Sequence, residues 1–432
     1  MKYQLVFAGG GAKGSYQIGV WKALIELNIE IDMVIGTSIG SINGAIVACG
    51  EYEKAEHLWE TLDMSALFNL PSENAKGEAN TREYFENILK NRGLDTSSLR
   101  CYLNEVIKED IFRRSQIDFA LVTFSLSQMK PLILFKKDIP EGKLVDFVLA
   151  SSALPGLIKQ EIEGTVYVDG GIYDNMPINV LIDHGYKNII AVSNSAIGMY
   201  KKTKETDANI IIIENKCILG SIMEFNPKNA HKNILLGYLD GMKAFGKYIG
   251  KSYYIKENKE SILSAPLSEK EIDMLYLNLK NNKKTLVPPS LLQFQLLRTL
   301  RNHSEGFLTE KRALIAAIEI TADVLGIEKI HEYTVDELIQ AELDAYNVIK
   351  KETPTASAVD RKFFNNIISK IWDRKKLRFN DAAMKKIYLG QVLIDKDAVS
   401  FDVNTPTEYL IANLFIYLML WRMKKNKAVG EN

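Results

Sequence analysis

The segment Met33-Val34-Ile35-Gly36-Thr37-Ser38-Ile39-Gly40 decides the fold of the first half of this chain. It begins with three apolar residues typical of a short buried strand, and the apolar pattern from Ile39 to Cys49 predicts a helix after it. Between the two, Gly36 and Gly40 flank Ser38 in the pattern G-x-S-x-G. A strand, a tight turn and a helix around this pattern predict a nucleophile elbow, which presents the serine hydroxyl at the helix N-terminus. The pattern alone also arises by chance, so a nucleophilic role for Ser38 is a hypothesis at this point.

Short apolar runs alternate with helical patterns on both sides of this segment. Strands that alternate with helices indicate a largely parallel sheet covered on both faces, so we predict an α/β fold for the first half. The predicted strands are Tyr3–Phe7, Met33–Ile35, Ile117–Phe124, Pro131–Phe135, Val166–Val168, Asn188–Ser193 and Ile210–Ile213, and the predicted helices include Ser15–Asn28 and Ile39–Cys49.

The second half has a different pattern, with few strand signals. From Ser290 onward, apolar residues recur at a spacing of three to four, which is typical of helices. We predict a catalytic domain over residues 1–255, a linker region over 256–289 and a mainly helical accessory domain over 290–432. The polar segment Asn69–Thr81 is predicted to be a surface loop or the root of an inserted lid. The predicted C-terminal helices are Leu291–Arg301, Thr309–Val324, Val335–Lys350 and Arg361–Trp372.

The composition is that of a soluble globular protein. Hydrophobic residues make up 47% of the 432 residues and charged residues 25%, which argues against a disordered chain or a coiled coil. Lys+Arg and Asp+Glu each number 54, so the chain lacks the basic excess typical of nucleic-acid-binding proteins. The cysteines, Cys49, Cys101 and Cys217, form no CxxC pair, which argues against a zinc site built on cysteine. Without a signal-peptide core or an apolar run of membrane-spanning length, we expect a cytoplasmic protein.

A glycine-rich segment, Gly9-Gly10-Gly11-Ala12-Lys13-Gly14, lies between the first predicted strand and the first predicted helix. Consecutive glycines allow a sharp turn whose N–H groups, beside a helix N-terminus, suit an anion or a developing oxyanion. The segment also fits G-x-G-x-x-G, the dinucleotide fingerprint, so a nucleotide-binding protein is an alternative. In that fold the ribose-binding carboxylate ends the second strand. Here Glu30 and Asp32 precede the strand Met33–Ile35, which weakens the alternative.

A third motif, Asp169-Gly170-Gly171, follows the predicted strand Val166–Val168. An acid at a strand end lies where active-site loops gather in α/β sheets, although the same residues are also common in plain turns. None of the five histidines lies at a strand end followed by a loop, which favours a dyad in which Asp169 takes the proton of Ser38 directly. A carboxylate with a pKa of about 4 is a weak base, so this role needs burial and correct geometry. The five histidines are His57, His184, His231, His303 and His331.

Four motifs, in this order and spacing, resemble those of the patatin-like phospholipase family. They are Gly9–Gly14, Gly36–Gly40, Asp169-Gly170-Gly171 and, before the last of these, Ala150-Ser151-Ser152-Ala153-Leu154-Pro155-Gly156. The resemblance covers residues 3 to about 200 and implies a three-layer α/β/α core with a mostly parallel sheet. It implies a hydrolase that cleaves acyl esters of phospholipids or other lipids without a cofactor or a metal.

The family's site residues carry over to matching positions of this chain. The resemblance implies that Ser38 is the nucleophile, that Asp169 is the base, and that the N–H groups of Gly10, Gly11 and Ala12 form the oxyanion hole. The remaining motif glycines are Gly9, Gly14, Gly36, Gly40, Gly170 and Gly171. A non-catalytic relative whose C-terminal domain binds a partner is a further alternative, although the intact dyad speaks against it.

An apolar stretch near the C-terminus, Tyr409–Trp421, is accompanied by basic residues. Two interpretations are open, a core helix with a solvated basic end or a transient contact with an anionic membrane surface. The basic residues are Arg361, Lys362, Arg374, Lys375, Lys376, Arg378, Arg422, Lys424, Lys425 and Lys427.

Overall fold

The structure is a computed structural model that describes residues 1–63, 96–154, 160–215, 217–257, 265, 268–271, 289–352 and 406–430. By its internal contacts the chain divides into two compact units, Met1–Gly246 and Lys247–Asn432. The predicted loop Asn69–Thr81, the predicted helix Arg361–Trp372 and most of the predicted linker 256–289 lie outside the described residues. Pro155 and Gly156 of the fourth motif lie outside them as well.

The first unit is built on an eight-stranded sheet, in which five neighbouring strands run parallel in the order β3-β2-β1-β7-β8. The other three strands pair antiparallel, β4 and β6 with β3, and β5 with β6. The predicted α/β class with a mostly parallel sheet is thereby confirmed. The strands are β1 Lys2–Phe7, β2 Glu30–Thr37, β3 Asp118–Ser125, β4 Lys130–Phe135, β5 Gln160–Ile162, β6 Thr165–Asp169, β7 Asn188–Ser193 and β8 Asn209–Glu214.

Helices cover both faces of this sheet. They are α1 Ser15–Glu26, α2 Ile39–Cys49, α3 Tyr52–Thr61, α4 Ser97–Val106, α5 Glu109–Arg114, α6 Leu144–Ser151, α7 Ile178–Asp183 and α8 Pro227–Ala244. On one face, Val6 and Ile35 share a buried cluster with Ile178 of α7. On the other face α2 approaches closely, because a Cβ atom on Gly44 would lie 3.2 Å from Val34. The apolar central strands are thus buried on both sides, as parallel strands between helical layers must be.

The second unit is mainly helical within the part of the chain that the structure describes. Its helices are α9 Pro289–His303, α10 Glu310–Leu325, α11 Val335–Glu352 and α12 Thr407–Gly430. Two short parallel strands, β9 Tyr254–Lys256 and β10 Glu332–Thr334, also belong to it, and the sequence did not predict either strand. Because β9 pairs with β10, the residues around 254 go with the second unit, whereas the sequence placed them at the end of the first domain.

The apolar stretch Tyr409–Trp421 lies within α12, and most of its side chains are buried in apolar clusters shared with α9, α10 and α11. Its buried residues are Tyr409, Leu410, Ile411, Ala412, Asn413, Leu414, Phe415, Ile416, Leu418 and Met419. Arg422 is not a surface cation either, since its guanidinium pairs with Glu271 at 2.7 Å and both side chains are under 10% exposed. The burial of this stretch supports the core-helix interpretation, and a contact between the exposed basic residues and a membrane surface stays a prediction.

Several other basic residues near the C-terminus are not described by the structure. Arg361, Lys362 and the basic residues from 374 to 378 lie outside the described residues, as does the side chain of Lys427. Among the helices described, none is long and apolar enough to cross a membrane.

Candidate active site

Ser38 lies in the turn between β2 and α2 with a backbone φ of 56° and ψ of −128°. A positive φ is strained for a residue with a side chain and persists only where the surroundings enforce it. Here they do so through close packing of the two flanking glycines. A Cβ atom on Gly36 would lie 2.0 Å from the carbonyl oxygen of Gly40, and one on Gly40 would lie 2.3 Å from that of Phe7.

The Ser38 hydroxyl donates a 2.5 Å hydrogen bond to Oδ2 of Asp169. Asp169 ends β6, and its other carboxylate oxygen, Oδ1, accepts a 2.7 Å bond from the N–H of Gly171. The side chains are 7% and 5% exposed, so the pair is nearly removed from water. The structure thus brings together the two residues that the sequence proposed as a dyad, 131 positions apart.

Burial raises the pKa of Asp169 to about 6, against the opposing effect of the hydrogen bonds from Ser38 and Gly171. Desolvation disfavours the charged form of a carboxyl group, and these bonds favour it. At neutral pH the carboxylate is still mostly ionised, but it is a better proton acceptor than an ordinary aspartate.

Three of the five histidines have hydrogen-bond or ion-pair partners elsewhere. The His184 ring nitrogen Nδ1 lies 2.8 Å from the carbonyl oxygen of Val180, and its ring packs on Phe135. His231 pairs with Glu60, and His303 bonds to the carbonyl of its own helix. No hydrogen bond joins a histidine to Ser38 or Asp169 among the residues that the structure describes.

The glycine loop lies beside Ser38, and Gly10 and Gly11 line the same cavity. No acceptor for the N–H groups of these two residues is found in the described ranges. The third predicted donor is already engaged, because the N–H of Ala12 donates to the carbonyl oxygen of Ile222 at 2.8 Å. Gly11 has a φ of 56°, and a Cβ atom there would lie 2.1 Å from the same Ile222 oxygen.

Three other motif glycines are required by close packing. The shortest approach of an added Cβ atom would be 2.2 Å to Oδ1 of Asn175 at Gly9, 2.6 Å to Cγ1 of Ile39 at Gly14, and 2.1 Å to the carbonyl oxygen of Val122 at Gly170. These glycines let the loops pack closely around Ser38 and Asp169.

Two residues that the sequence gave no role hold the site together. Ser151 ends α6 and accepts a 3.0 Å bond at Oγ from the N–H of Ser38. The backbone carbonyl oxygen of Asn175 accepts a hydrogen bond from the Gly9 N–H, and the side-chain Nδ2 of Asn175 donates to the Gly9 carbonyl at 3.4 Å. Ser151 lies within the motif Ala150–Gly156, which supported the family resemblance but whose residues were given no role. Asn175 had no signal beyond being a polar residue shortly after Asp169.

A buried polar network anchors the other side of the glycine loop. Gln17 donates from Nε2 to the carbonyl oxygen of Ala8 at 2.7 Å. Asn43 donates to both Gln17 and Gly14, and it accepts from the indole N–H of Trp59. The side-chain amides of Gln17 and Asn43 therefore have partners at both their oxygen and their nitrogen, which fixes the loop relative to α1 and α2.

Ser38 and Asp169 line a cavity of about 410 Å³. Its lining is mainly apolar, which suits an acyl chain more than a polar ligand. The apolar lining residues are Ile39, Leu99, Leu154, Ile172, Ile197, Met199, Ile222, Met223 and Phe225. No cluster of histidine, cysteine or acidic side chains that could hold a metal ion occurs in the part of the chain described.

The structure also bears on the dinucleotide alternative. Glu30 and Asp32 lie at the amino end of β2, whereas Ser38 follows the carboxyl end. Asp32 accepts a 2.8 Å bond from the amide of Gln4. No acid therefore stands at the position where that fold binds a ribose.

Comparison with known sequences gives a family match and distant relatives. Residues 5–182 match the family described as patatin-like phospholipase. Lysophospholipase NTE1 of Mycosarcoma maydis is 29% identical over 206 residues, a match that covers 46% of this chain and 10% of the relative. An uncharacterized NTE family protein of Mycobacterium bovis is 26% identical over 192 residues, covering 44% of this chain and 48% of the relative. The chain thus spans a small part of the fungal relative and about half of the mycobacterial one.

Solved structures give weaker likenesses. VipD from Legionella pneumophila is 14% identical with a TM-score of 0.37, covering 98% of this chain and 91% of that one. The type III effector protein ExoU is 12% identical with a TM-score of 0.28, covering 90% and 78%. These TM-scores are too low to bear on the substrate or the mechanism. It is the sequence match over residues 5–182 that relates this chain to the patatin-like phospholipase family.

Proposed function

We propose that this protein is a lipid acyl hydrolase of the phospholipase A or lysophospholipase type, with a catalytic dyad of Ser38 and Asp169. The observation that carries the proposal is the 2.5 Å hydrogen bond from the Ser38 hydroxyl to the buried Asp169 carboxylate. The bond lies at a cavity whose lining is mainly apolar, as an acyl chain requires. The family match and the lysophospholipase relatives support the same class of substrate.

The reaction proceeds in two halves. Ser38 Oγ attacks the ester carbonyl carbon while Asp169 Oδ2 takes the hydroxyl proton, and a tetrahedral oxyanion forms. The intermediate then collapses, Asp169 returns its proton to the leaving alcohol, and the acyl group stays on Ser38. Asp169 then takes a proton from a water molecule as its oxygen attacks the acyl-enzyme, and it returns that proton to Ser38 Oγ when the acyl–oxygen bond breaks and the fatty acid leaves. No cofactor or metal is needed for any step.

The oxyanion hole is proposed to consist of the N–H groups of Gly10 and Gly11. Both glycines line the cavity with Ser38, and their N–H groups are not used within the described fold. Donors that are already in place stabilise a developing oxyanion without reorganisation. Ala12, which the family resemblance also suggested, would first have to release the carbonyl of Ile222.

The base works without a histidine for two reasons. The pKa of Asp169 of about 6 is close enough to neutral pH for efficient proton transfer. The bond from Gly171 to Oδ1 orients the carboxylate so that Oδ2 faces the serine.

A cytoplasmic location and a transient contact with a lipid surface remain predictions.

The proposal is tested by assaying the full chain against phospholipids, lysophospholipids and p-nitrophenyl esters. Wild type should release fatty acid, and Ser38→Ala and Asp169→Asn should each lose nearly all activity while circular dichroism shows an unchanged fold. His184→Ala is the matched control and should stay active, since its ring bonds to Val180. Activity in Ser38→Ala, or an equal loss in His184→Ala, would reject the dyad. A wild-type protein that releases no fatty acid from any of these substrates would instead favour a non-catalytic or nucleotide-binding protein.

A further inference from the structure

Three apolar side chains at the mouth of the cavity face water. Ile197 is 96% exposed, Met199 57% and Ile172 44%, and each lines the same cavity as Ser38. Single exposed apolar residues are ordinary on protein surfaces. Several that border one apolar cavity form a patch of the kind that marks an interaction site.

The segment that carries two of these side chains is held in place by hydrogen bonds. The Met199 N–H donates to the carbonyl of Gly171 at 2.9 Å, and the Met199 carbonyl accepts the N–H of Asn175 at 2.6 Å. The Tyr200 hydroxyl donates to the Ala196 carbonyl and accepts from Asn175, each at 2.9 Å. The backbone that carries the exposed side chains is therefore already ordered. Binding of these side chains to a surface would lose little additional backbone entropy.

Basic residues adjoin the apolar ones. Lys201 and Lys202 follow directly in the chain, and both are exposed. The Lys201 ammonium lies 3.2 Å from the ring centroid of Tyr173, which is the neighbour of Ile172. Lys204 is not counted because it pairs with Asp183. Apolar side chains flanked by cations match a lipid surface, which offers acyl chains below anionic head groups.

We propose that Ile172, Ile197 and Met199, together with Lys201 and Lys202, form a docking surface for a lipid interface that carries anionic head groups. The inference rests on the proposed function, since it seats the cavity mouth against the layer that holds the substrate. An acyl chain could then enter the cavity without crossing water. This surface belongs to the first unit and is separate from the C-terminal stretch that the sequence suggested for membrane contact.

Binding is measured by co-sedimentation with vesicles, using the full chain in the Ser38→Ala background so that the lipid stays intact. The vesicles are pure phosphatidylcholine or an equimolar mixture with phosphatidylglycerol. Ile197→Ser combined with Met199→Ser should weaken partitioning into the mixed vesicles by about tenfold or more, because two apolar side chains no longer leave water. The matched control, Ile25→Ser with Leu235→Ser, changes two exposed apolar residues outside the cavity and should bind normally.

The charge requirement has its own pair of variants. Lys201→Glu with Lys202→Glu should abolish the preference for anionic vesicles, and high salt should do the same. The control, Lys2→Glu with Lys137→Glu, makes the same change at the other end of the sheet. Lys2 begins β1, and Lys137 follows the end of β4 that pairs with the start of β3.

The outcomes separate this inference from the proposed function. Undiminished binding of the Ile197/Met199 variant, or equal loss in its control, would overturn the docking surface. Equal binding to both vesicle types would overturn the anionic requirement. Because the binding assay uses an inactive background, it is unaffected by a failure of the hydrolase proposal. That failure would appear instead as a wild-type protein that binds vesicles and releases no fatty acid.

Discussion

The backbone N–H of Ser38 donates a 3.0 Å hydrogen bond to the hydroxyl of Ser151, 113 residues further along the chain. Ser151 in turn donates to the carbonyl oxygen of Val122 at 2.7 Å. The strained turn at Ser38 is therefore tied to the end of α6 and to β3. This explains why a residue of the Ala150–Gly156 motif belongs to the site although it takes no part in the chemistry.

Ser151→Ala should destabilise the protein by about 1–3 kcal/mol, because a buried N–H would lose its acceptor. The turn that positions Ser38 should also loosen, so kcat should fall more than KM changes. Denaturant unfolding and steady-state kinetics check both effects. Ser152→Ala is the control for stability, since its hydroxyl donates only to a carbonyl of its own helix. An equal loss of stability in the two variants would contradict the role of Ser151.

Asp169→Asn should be more stable than wild type at pH 8, although we expect it to be inactive. The folded protein raises the pKa of Asp169 to about 6 from an ordinary 3.8, so ionisation of this group costs stability as the pH rises through that range. At pH 8 the asparagine avoids a cost of about 3 kcal/mol, and below pH 4 the advantage should vanish. Urea unfolding of both proteins at pH 8 and below pH 4 measures this difference in the free energy of unfolding. Asp138→Asn, at an exposed carboxylate, is the control and should show no such difference in stability. A gain in stability of Asp169→Asn that does not depend on pH would contradict the assigned pKa.

The pH dependence of activity should follow the same group. Asp169 must be ionised to act as the base, so kcat/KM should fall about tenfold per pH unit below a pKa of about 6. The measurement uses a soluble p-nitrophenyl ester, which avoids effects of pH on a lipid surface. Full activity well below pH 5 would contradict the account.

Gly11→Ala should lower kcat by about 10²-fold or more, because the amides proposed as oxyanion donors would be displaced. A Cβ atom there would collide with the Ile222 carbonyl at 2.1 Å and would occupy a left-handed φ. Gly50→Ala is a matched control, since Gly50 has a φ of 73° and open space around it. The control should share the backbone strain and keep its turnover. Equal losses of turnover in both variants would mean that general destabilisation, and not the oxyanion hole, is responsible.

Arg422→Met should destabilise the second unit by about 3–5 kcal/mol, because Glu271 would keep a buried charge without its partner. Burial opposes ionisation of Glu271, but the bonds from Arg422 and Ser268 outweigh it and lower the pKa to about 2. The pair therefore stabilises the protein above pH 4.5, and this contribution is lost as the pH falls toward 2. Thermal unfolding of Arg422→Met and of the exposed control Lys424→Met checks the claim. Equal melting temperatures of the two variants would indicate that Arg422 contributes no more to stability than an exposed lysine.

The sequence predicted the sheet and the pairing of Ser38 with Asp169, because the strands and the two motifs are local patterns. Apolar runs such as Asn188–Ser193 coincide with the observed strand, and the glycines around Ser38 are required by the turn itself. The antiparallel strand Gln160–Ile162 was missed, because its sequence Gln160-Glu161-Ile162 contains no apolar run.

What escaped prediction depends on contacts between distant residues. Ser151 and Asn175 act through hydrogen bonds to Ser38 and Gly9, which no local pattern reveals. The same holds for Arg422, whose partner Glu271 lies 151 residues away. A basic residue after an apolar stretch indicates a surface cation in the sequence, and only the tertiary partner shows that it is buried.

The central claim, that Ser38 is acylated during turnover, is tested most directly by trapping the intermediate. Wild type is mixed with a p-nitrophenyl ester, quenched with acid during the first turnovers, digested and analysed by peptide mass spectrometry. The account predicts one acyl group on the peptide that contains Ser38, and none on that peptide from Ser38→Ala. An acyl group on a different residue, or rapid hydrolysis with no adduct on Ser38, would contradict it.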